Sequence, residues 1–131
     1  MSLTALQEGL EKLTAAGIDV VAISADSADV AKAFKEKLGL TFSIGTGLTV
    51  EQIRALGLYV SNPTNYIDQT FSFAEPAFFL LNPDNSMRYI TISNNPMGGR
   101  VNVDHLLMGY NYVIERSQTD AGFSKVVWGS A

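Results

Sequence analysis

Residues 75–92, EPAFFLLNPDNSMRYITI, constrain the fold of this chain more than any other segment. Two β-rich runs flank Pro83-Asp84-Asn85, where the proline presets φ and the Asp and Asn tolerate turn geometry, so the segment predicts an antiparallel hairpin. Pro76 opens the first strand. It has no N–H for a ladder, so it belongs at a strand boundary, where prolines are sometimes cis.

Elements for both sides of a sheet lie upstream. Leu3, Leu6, Leu10 and Leu13 recur at helical spacing and Gly17 stands where a C′ glycine belongs, which predicts one helix to about Ala16. Residues 18–25, IDVVAISA, are apolar and β-branched without polar alternation, as in a strand buried on both faces. Asp26-Ser27 caps a second helix with Val30, Phe34 and Leu38 on one face and Gly39 at its end. Residues 41–44 suit a short strand. Gly45-Thr46-Gly47 is a loop that lacks the Lys and Ser/Thr of a phosphate cradle. Thr49 and Gln52 form a capping box for a short third helix stopping at Gly57. Residues 58–60 continue as extended chain into a polar connection over 61–69. After the hairpin, residues 93–100, SNNPMGGR, form a loop, and Asn102 opens a last helix with Leu106, Leu107, Tyr110, Val113 and Ile114 inward. Residues 123–128, FSKVVW, suit one more strand. Right-handed crossovers then place helices on both faces of a mixed sheet, a thioredoxin-like three-layer α/β/α arrangement with one strand missing.

With 131 residues this is expected to be one domain over 1–116 with a tail over 117–131. Thirteen acids against nine bases give a net charge of −4, which argues against a nucleic-acid partner. The N-terminal region has neither the apolar stretch of a signal peptide nor a membrane span, so the expectation is a cytoplasmic protein with no membrane partner, and Met1-Ser2-Leu3 suits an expression leader. The chain has no cysteine, which removes disulfides, thiolate metal sites and thiol catalysis together. No cofactor and no metal are expected.

The phrases LTALQEGLEKLTAAGIDVVAISADS, AFKEKLGLTF, EPAFFLLNPDNSMRYITISNNP and VDHLLMGYNYVIER resemble the peroxiredoxin-like proteins of the alkyl hydroperoxide reductase/thiol-specific antioxidant (AhpC/TSA) group, from Leu3 to about Arg116. The resemblance implies a thioredoxin fold, a cis Glu75–Pro76 bond, and a thiol-dependent reduction of peroxides or disulfides by a cysteine just before the first helix. It also implies that this chain starts beyond that cysteine and the core strand preceding it. The family's thiolate-steadying arginine falls on Pro76. No catalytic residue carries over, and the cysteine-free chain is expected to be inactive; the alternative is a non-catalytic binding or dimerisation module on the same scaffold.

Ligands gather beyond the carboxyl ends of parallel strands, which points to Asp26, Ser27, Asn94 and Asn95, with Glu75 and Pro76 on the same edge. Asp26 and Ser27 also suit a helix cap, and Asn94 and Asn95 ordinary turns. Glu75, which could tune a neighbouring group, is expected to be an exposed carboxylate and is a lone acid without a paired partner for acid–base work. Arg100, in the glycine-rich loop before the last helix, suits anion contact or plain surface. His105, the only histidine, has no thiol or second histidine near it in sequence. A sheet without its central strand leaves buried peptide groups unpaired, so residues 123–128 are expected to fill the gap, within one chain or exchanged in a homodimer; otherwise two chains pair their open edges. The redox partner is not readable from these residues.

Overall fold

The computed structural model describes residues 2–63 and 70–126. Its elements are α1 (Leu3–Glu8), α2 (Leu10–Ala15), β1 (Val21–Ile23), α3 (Ala28–Leu38), β2 (Ser43–Gly45), α4 (Val50–Ala55), β3 (Val60–Ser61), β4 (Phe73–Ala74), β5 (Ala77–Leu81), β6 (Met87–Ile92), α5 (Val103–Thr119) and a 3-10 turn, Phe123–Lys125.

Local chemistry sets most of the boundaries. Ser2, Ser27 and Asn102 cap α1, α3 and α5 by accepting N–H groups of Ala5, Val30 and His105, while Thr49 and Gln52 form a reciprocal capping box on α4. Gly39 ends α3 in the left-handed region at φ 62°. The first helix is not continuous but breaks at Gly9. There α5 comes so close that a Cβ on Gly9 would lie 2.8 Å from both γ-carbons of Val103, so any larger residue must displace the valine. Beside this contact Lys12 Nζ meets Asp104 Oδ1 at 2.6 Å, tying α2 to the first turn of α5. On its other flank α1 holds the approach to β2: the Thr41 N–H donates to Gln7 Oε1 (2.8 Å), and Gln7 Nε2 donates to the Thr41 hydroxyl (3.0 Å).

Strand pairing is mixed, parallel between β1 and β2 and antiparallel in β3–β4 and β5–β6, and is divided into three two-stranded ladders among the described residues. The hairpin forms as its sequence predicts. Asn85 takes φ 65° and its N–H donates to the Asn82 carbonyl (2.9 Å), with a register shift between Leu80 and Leu81. One core cluster joins α1 and α2 (Leu6, Leu13), the approach to β2 (Leu40, Phe42), β5 (Leu80) and the start of α5 (Val101, Val103, Leu106), with Ala22 of β1 and Phe78 of β5 packed against it. Fully burying a Leu such as Leu13 contributes about 1.5–3 kcal/mol. Ile53 of α4 is also fully buried.

Several expectations are corrected here. Residues 18–25 do not make a strand buried on both faces: Val21 is 64% and Ile23 61% exposed, because nothing in the described chain covers that side of β1. Val30 and Phe34 of α3 are exposed as well, and α3 buries Ala31 instead. The Glu75–Pro76 bond is trans. With a trans bond the Glu75 N–H reaches the Tyr59 carbonyl (2.9 Å) and the Pro76 carbonyl takes the Ser93 N–H (3.0 Å), so the extended chain satisfies both sides of the boundary. The strand expected over 123–128 is replaced in its described part by the 3-10 turn Phe123–Lys125, which is folded back on α5. The Phe123 ring meets Tyr112 edge-on at 6.2 Å and lies under the Arg116 guanidinium at 5.9 Å, so these residues do not complete the sheet. Val127 and Trp128 lie outside the described residues.

Candidate functional site

At the carboxyl end of β1 the Ser24 hydroxyl donates to the Asp26 carboxylate and accepts the Asp26 N–H (3.0 Å), while the Asp26 carbonyl accepts from the Gly47 N–H (2.9 Å). Asp26 thereby fastens the strand end to the loop after β2, and the helix cap is Ser27 alone. These contacts leave neither residue arranged for acid–base work.

Around Pro76 a second cluster is built by close packing. A Cβ on Gly99 (φ 68°) would sit 2.7 Å from both the Pro76 carbonyl oxygen and Ser93 Cβ, so the glycine lets residues 94–100 press on the start of β5. Ser93 is buried, and its hydroxyl donates to the Asn95 carbonyl (2.7 Å). Asn95 Oδ1 accepts the Met97 N–H (2.9 Å), and Asn94 takes a bond from the Asn95 side chain (2.7 Å), so both asparagines shape the turn. Arg100 Nε donates to the Pro96 carbonyl (3.0 Å), and Arg100 also borders a hollow of about 400 Å³ with Glu8, Lys12 and Asp104. The structure therefore brings Pro76 together with the 94–100 loop. No hydrogen bond among the described residues joins Asp26 or Ser27 to them.

Glu75 is the chemically unusual member. Expected as an exposed acid, it is 94% buried, its relative exposure being 6%. One carboxyl oxygen accepts from the Ser61 hydroxyl, and the other, Oε2, is buried with no partner among the described residues. Ser61 was hidden in the sequence inside a polar stretch. Its placement depends on the short β3–β4 ladder, Val60 against Ala74 and Ser61 against Phe73, for which two-residue strands leave no periodicity to read.

His105 lies elsewhere, on a groove of about 610 Å³ between the hairpin and α5. There Arg88 Nε donates to Asn82 Oδ1 (2.7 Å) and its guanidinium stands 5.2 Å over the Tyr110 ring. No group of three metal-ligating side chains occurs among the described residues, and no helix in them is long and apolar enough to cross a membrane. Among the described residues the one clear shift in acidity is at the hairpin turn, where the Ser86 hydroxyl and then its N–H hold the Asp84 carboxyl below its ordinary value.

Comparison with solved structures finds a cysteine-to-serine mutant of peroxiredoxin 6 from Arenicola marina, 20% identical, with a TM-score of 0.64 over 92% of this chain. The match covers 55% of that protein, so the chain spans about half the length of the solved structure. The likeness shows the fold, that of a peroxiredoxin within the thioredoxin-like class. No curated protein sequence matches. The family model described as AhpC/TSA matches residues 1–90, more than half of the polypeptide, and the chain therefore belongs to the AhpC/TSA family.

Proposed function

We propose that this chain is the thioredoxin-like scaffold of a thiol-dependent peroxidase or oxidoreductase and does not turn over peroxide by itself. The observation that carries the reading is the absence of cysteine from all 131 residues of a chain in this family. In thiol-dependent peroxide reduction a thiolate attacks one peroxide oxygen and becomes a sulfenic acid, the O–O bond breaks, and the other oxygen leaves with a proton as alcohol or water. A thiol reductant then restores the sulfur. Serine and histidine cannot take the oxygen and return it to a thiol, and methionine sulfoxide needs a dedicated reductase.

The remaining polar groups of the site fit a supporting role. Asp26 and Ser24 pin the end of β1, Asn94 and Asn95 hold the loop, and Ser61 holds Glu75. The test is a peroxidase assay with hydrogen peroxide and a thiol reductant. The 131-residue chain is expected to match a heat-denatured control, and turnover above that control overturns the reading.

A further inference from the structure

We propose that the groove between the β5–β6 hairpin and α5 is a binding site for a small, flat aromatic carboxylate. The groove holds about 610 Å³, within the range of about 300–1,000 Å³ usual for small-molecule sites. His105, Gly109, Val113 and Ser117 stand four residues apart along α5 and all line it, so they form one row on a single face of the helix. Gly109 is a gap in that row. A glycine inside a helix is destabilising relative to alanine, and here no close packing calls for it, since a Cβ on Gly109 would meet nothing within 4 Å. At Gly9 and Gly99 a neighbouring residue takes the space; at Gly109 the space is left open in the wall of the groove.

The charge of the groove runs against that of the chain. Thirteen acids face nine bases in the whole sequence, yet among the described residues Arg88 and His105 line this groove and no Asp or Glu does. Arg88 is held in place by the protein itself. Its Nε donates to Asn82 Oδ1 (2.7 Å), Asn82 Nδ2 donates to the Ser86 hydroxyl (2.9 Å), and the guanidinium stands over the Tyr110 ring. The two terminal nitrogens take no part in these bonds, and no acid among the described residues pairs with Arg88. A guanidinium fixed in this way presents its remaining donors as a fork, the geometry that grips a carboxylate with two parallel bonds. The Ser117 hydroxyl does not compete, because it is spent on the Val113 carbonyl (2.7 Å).

The walls choose the body of the ligand. Tyr89, Tyr110, Tyr112 and Phe123 bring four rings to the groove, with Tyr112 and Phe123 meeting edge-on at 6.2 Å. Such rings take another ring by offset or edge-to-face contact, and the bare backbone at Gly109 lets a flat body approach the helix closely. The imidazole of His105 offers a further N–H on the same groove. An inorganic anion leaves the rings unused and a neutral hydrocarbon leaves the guanidinium unused. A ring bearing a carboxylate uses both.

The experiment titrates the full chain with naphthoate, with its neutral counterpart naphthalenemethanol, and with acetate, read by calorimetry and by amide NMR shifts. The expected result is a saturable site for naphthoate with a dissociation constant of about 0.1–1 mM, about tenfold or more tighter than for either control. The shifts are expected to centre on Arg88, His105 and Gly109. Arg88→Gln lowers the naphthoate affinity by about tenfold or more and leaves that of naphthalenemethanol unchanged. Gly109→Leu fills the gap, so it weakens naphthoate by about tenfold or more while keeping or raising the thermal midpoint, because leucine is the better helix former and its Cβ meets open space. A variant that merely misfolds cannot show both. The proposal is overturned by no saturable binding, by equal affinity for naphthoate and naphthalenemethanol, by an Arg88→Gln chain that binds as the wild type does, or by shifts confined to another part of the chain. It is equally overturned by a lowered midpoint in Gly109→Leu, which means the fold itself uses the space, or by naphthoate affinity that falls as the protein self-associates, which means a second copy covers the groove.

Discussion

Removing the Ser61 hydroxyl isolates the energetics of the buried carboxyl beside Pro76. Among the described residues Glu75 has one oxygen satisfied by Ser61 and one with no partner, at 6% exposure. Ser61→Ala leaves both oxygens buried without a donor, and a buried acceptor stripped of its hydrogen bond costs about 1–3 kcal/mol, with the upper half of that range expected for a carboxyl group. In a Glu75→Leu background the same change removes a hydroxyl that has already lost its acceptor and costs close to nothing. The double-mutant cycle is therefore expected to give a coupling of about 2 kcal/mol, well above the few tenths by which independent sites depart from additivity. Urea unfolding at neutral pH measures all four proteins, with the m-value checked for constancy across the cycle. A coupling under about 0.5 kcal/mol refutes the reasoning, since it means the Ser61 bond contributes no more than solvent does.

Gly9→Ala, at a cap position with φ −89°, sets a gain of about 0.4–1 kcal/mol from a less flexible unfolded chain against overpacking of about 1–3 kcal/mol where the new methyl meets Val103, so a net loss near 1 kcal/mol is expected. In a Val103→Ala background the same substitution is expected to stabilise, and chemical denaturation of the four combinations checks the change of sign. At the hairpin turn the folded Asp84 carboxyl is lowered, chiefly by the Ser86 hydroxyl, so its contribution is complete above the unfolded value and is lost as pH falls through the folded one. The stability difference between wild type and Asp84→Asn is expected to be flat from neutral pH down to about pH 5 and to shrink on further acidification through the ordinary carboxylate range near 4; thermal unfolding across that range, with an NMR titration of Asp84, checks it.

The elements most legible in the sequence are those whose cause is local. Ser27, Thr49 with Gln52, Asn102 and Gly39 each act within one helical turn, and each marks the boundary its chemistry predicts. The Pro83-Asp84-Asn85 turn is equally local, and the hairpin around it forms. What escapes is set by distant partners. The need for a glycine at position 9 is set by Val103, far along the chain. Glu75 reads as an exposed acid because its burial depends on Ser61, and Phe123–Lys125 reads as strand because Tyr112 and Arg116, which fold it back, lie on another element. The sequence puts Asp26, Ser27, Glu75, Pro76, Asn94 and Asn95 on one edge; the structure gathers Pro76, Asn94 and Asn95 with Arg100 in the 94–100 loop, while Asp26 and Ser27 serve the end of β1.

The mismatch at β1 carries the argument one step further. A strand that works with one face in water is written in alternation, and one that works at a sheet edge carries lysine, proline or a bulge to discourage pairing. Residues 18–25 show neither pattern around Val21 and Ile23, whose side chains nonetheless stand 64% and 61% exposed. On β5 the run Ala77–Leu81 is likewise uncharged, and its irregularity comes only after Leu80. Two edges over one core, both written for burial and neither protected, would be a liability in any state where they stayed open. The residue types of β1 and β5 are those of strands paired along both edges.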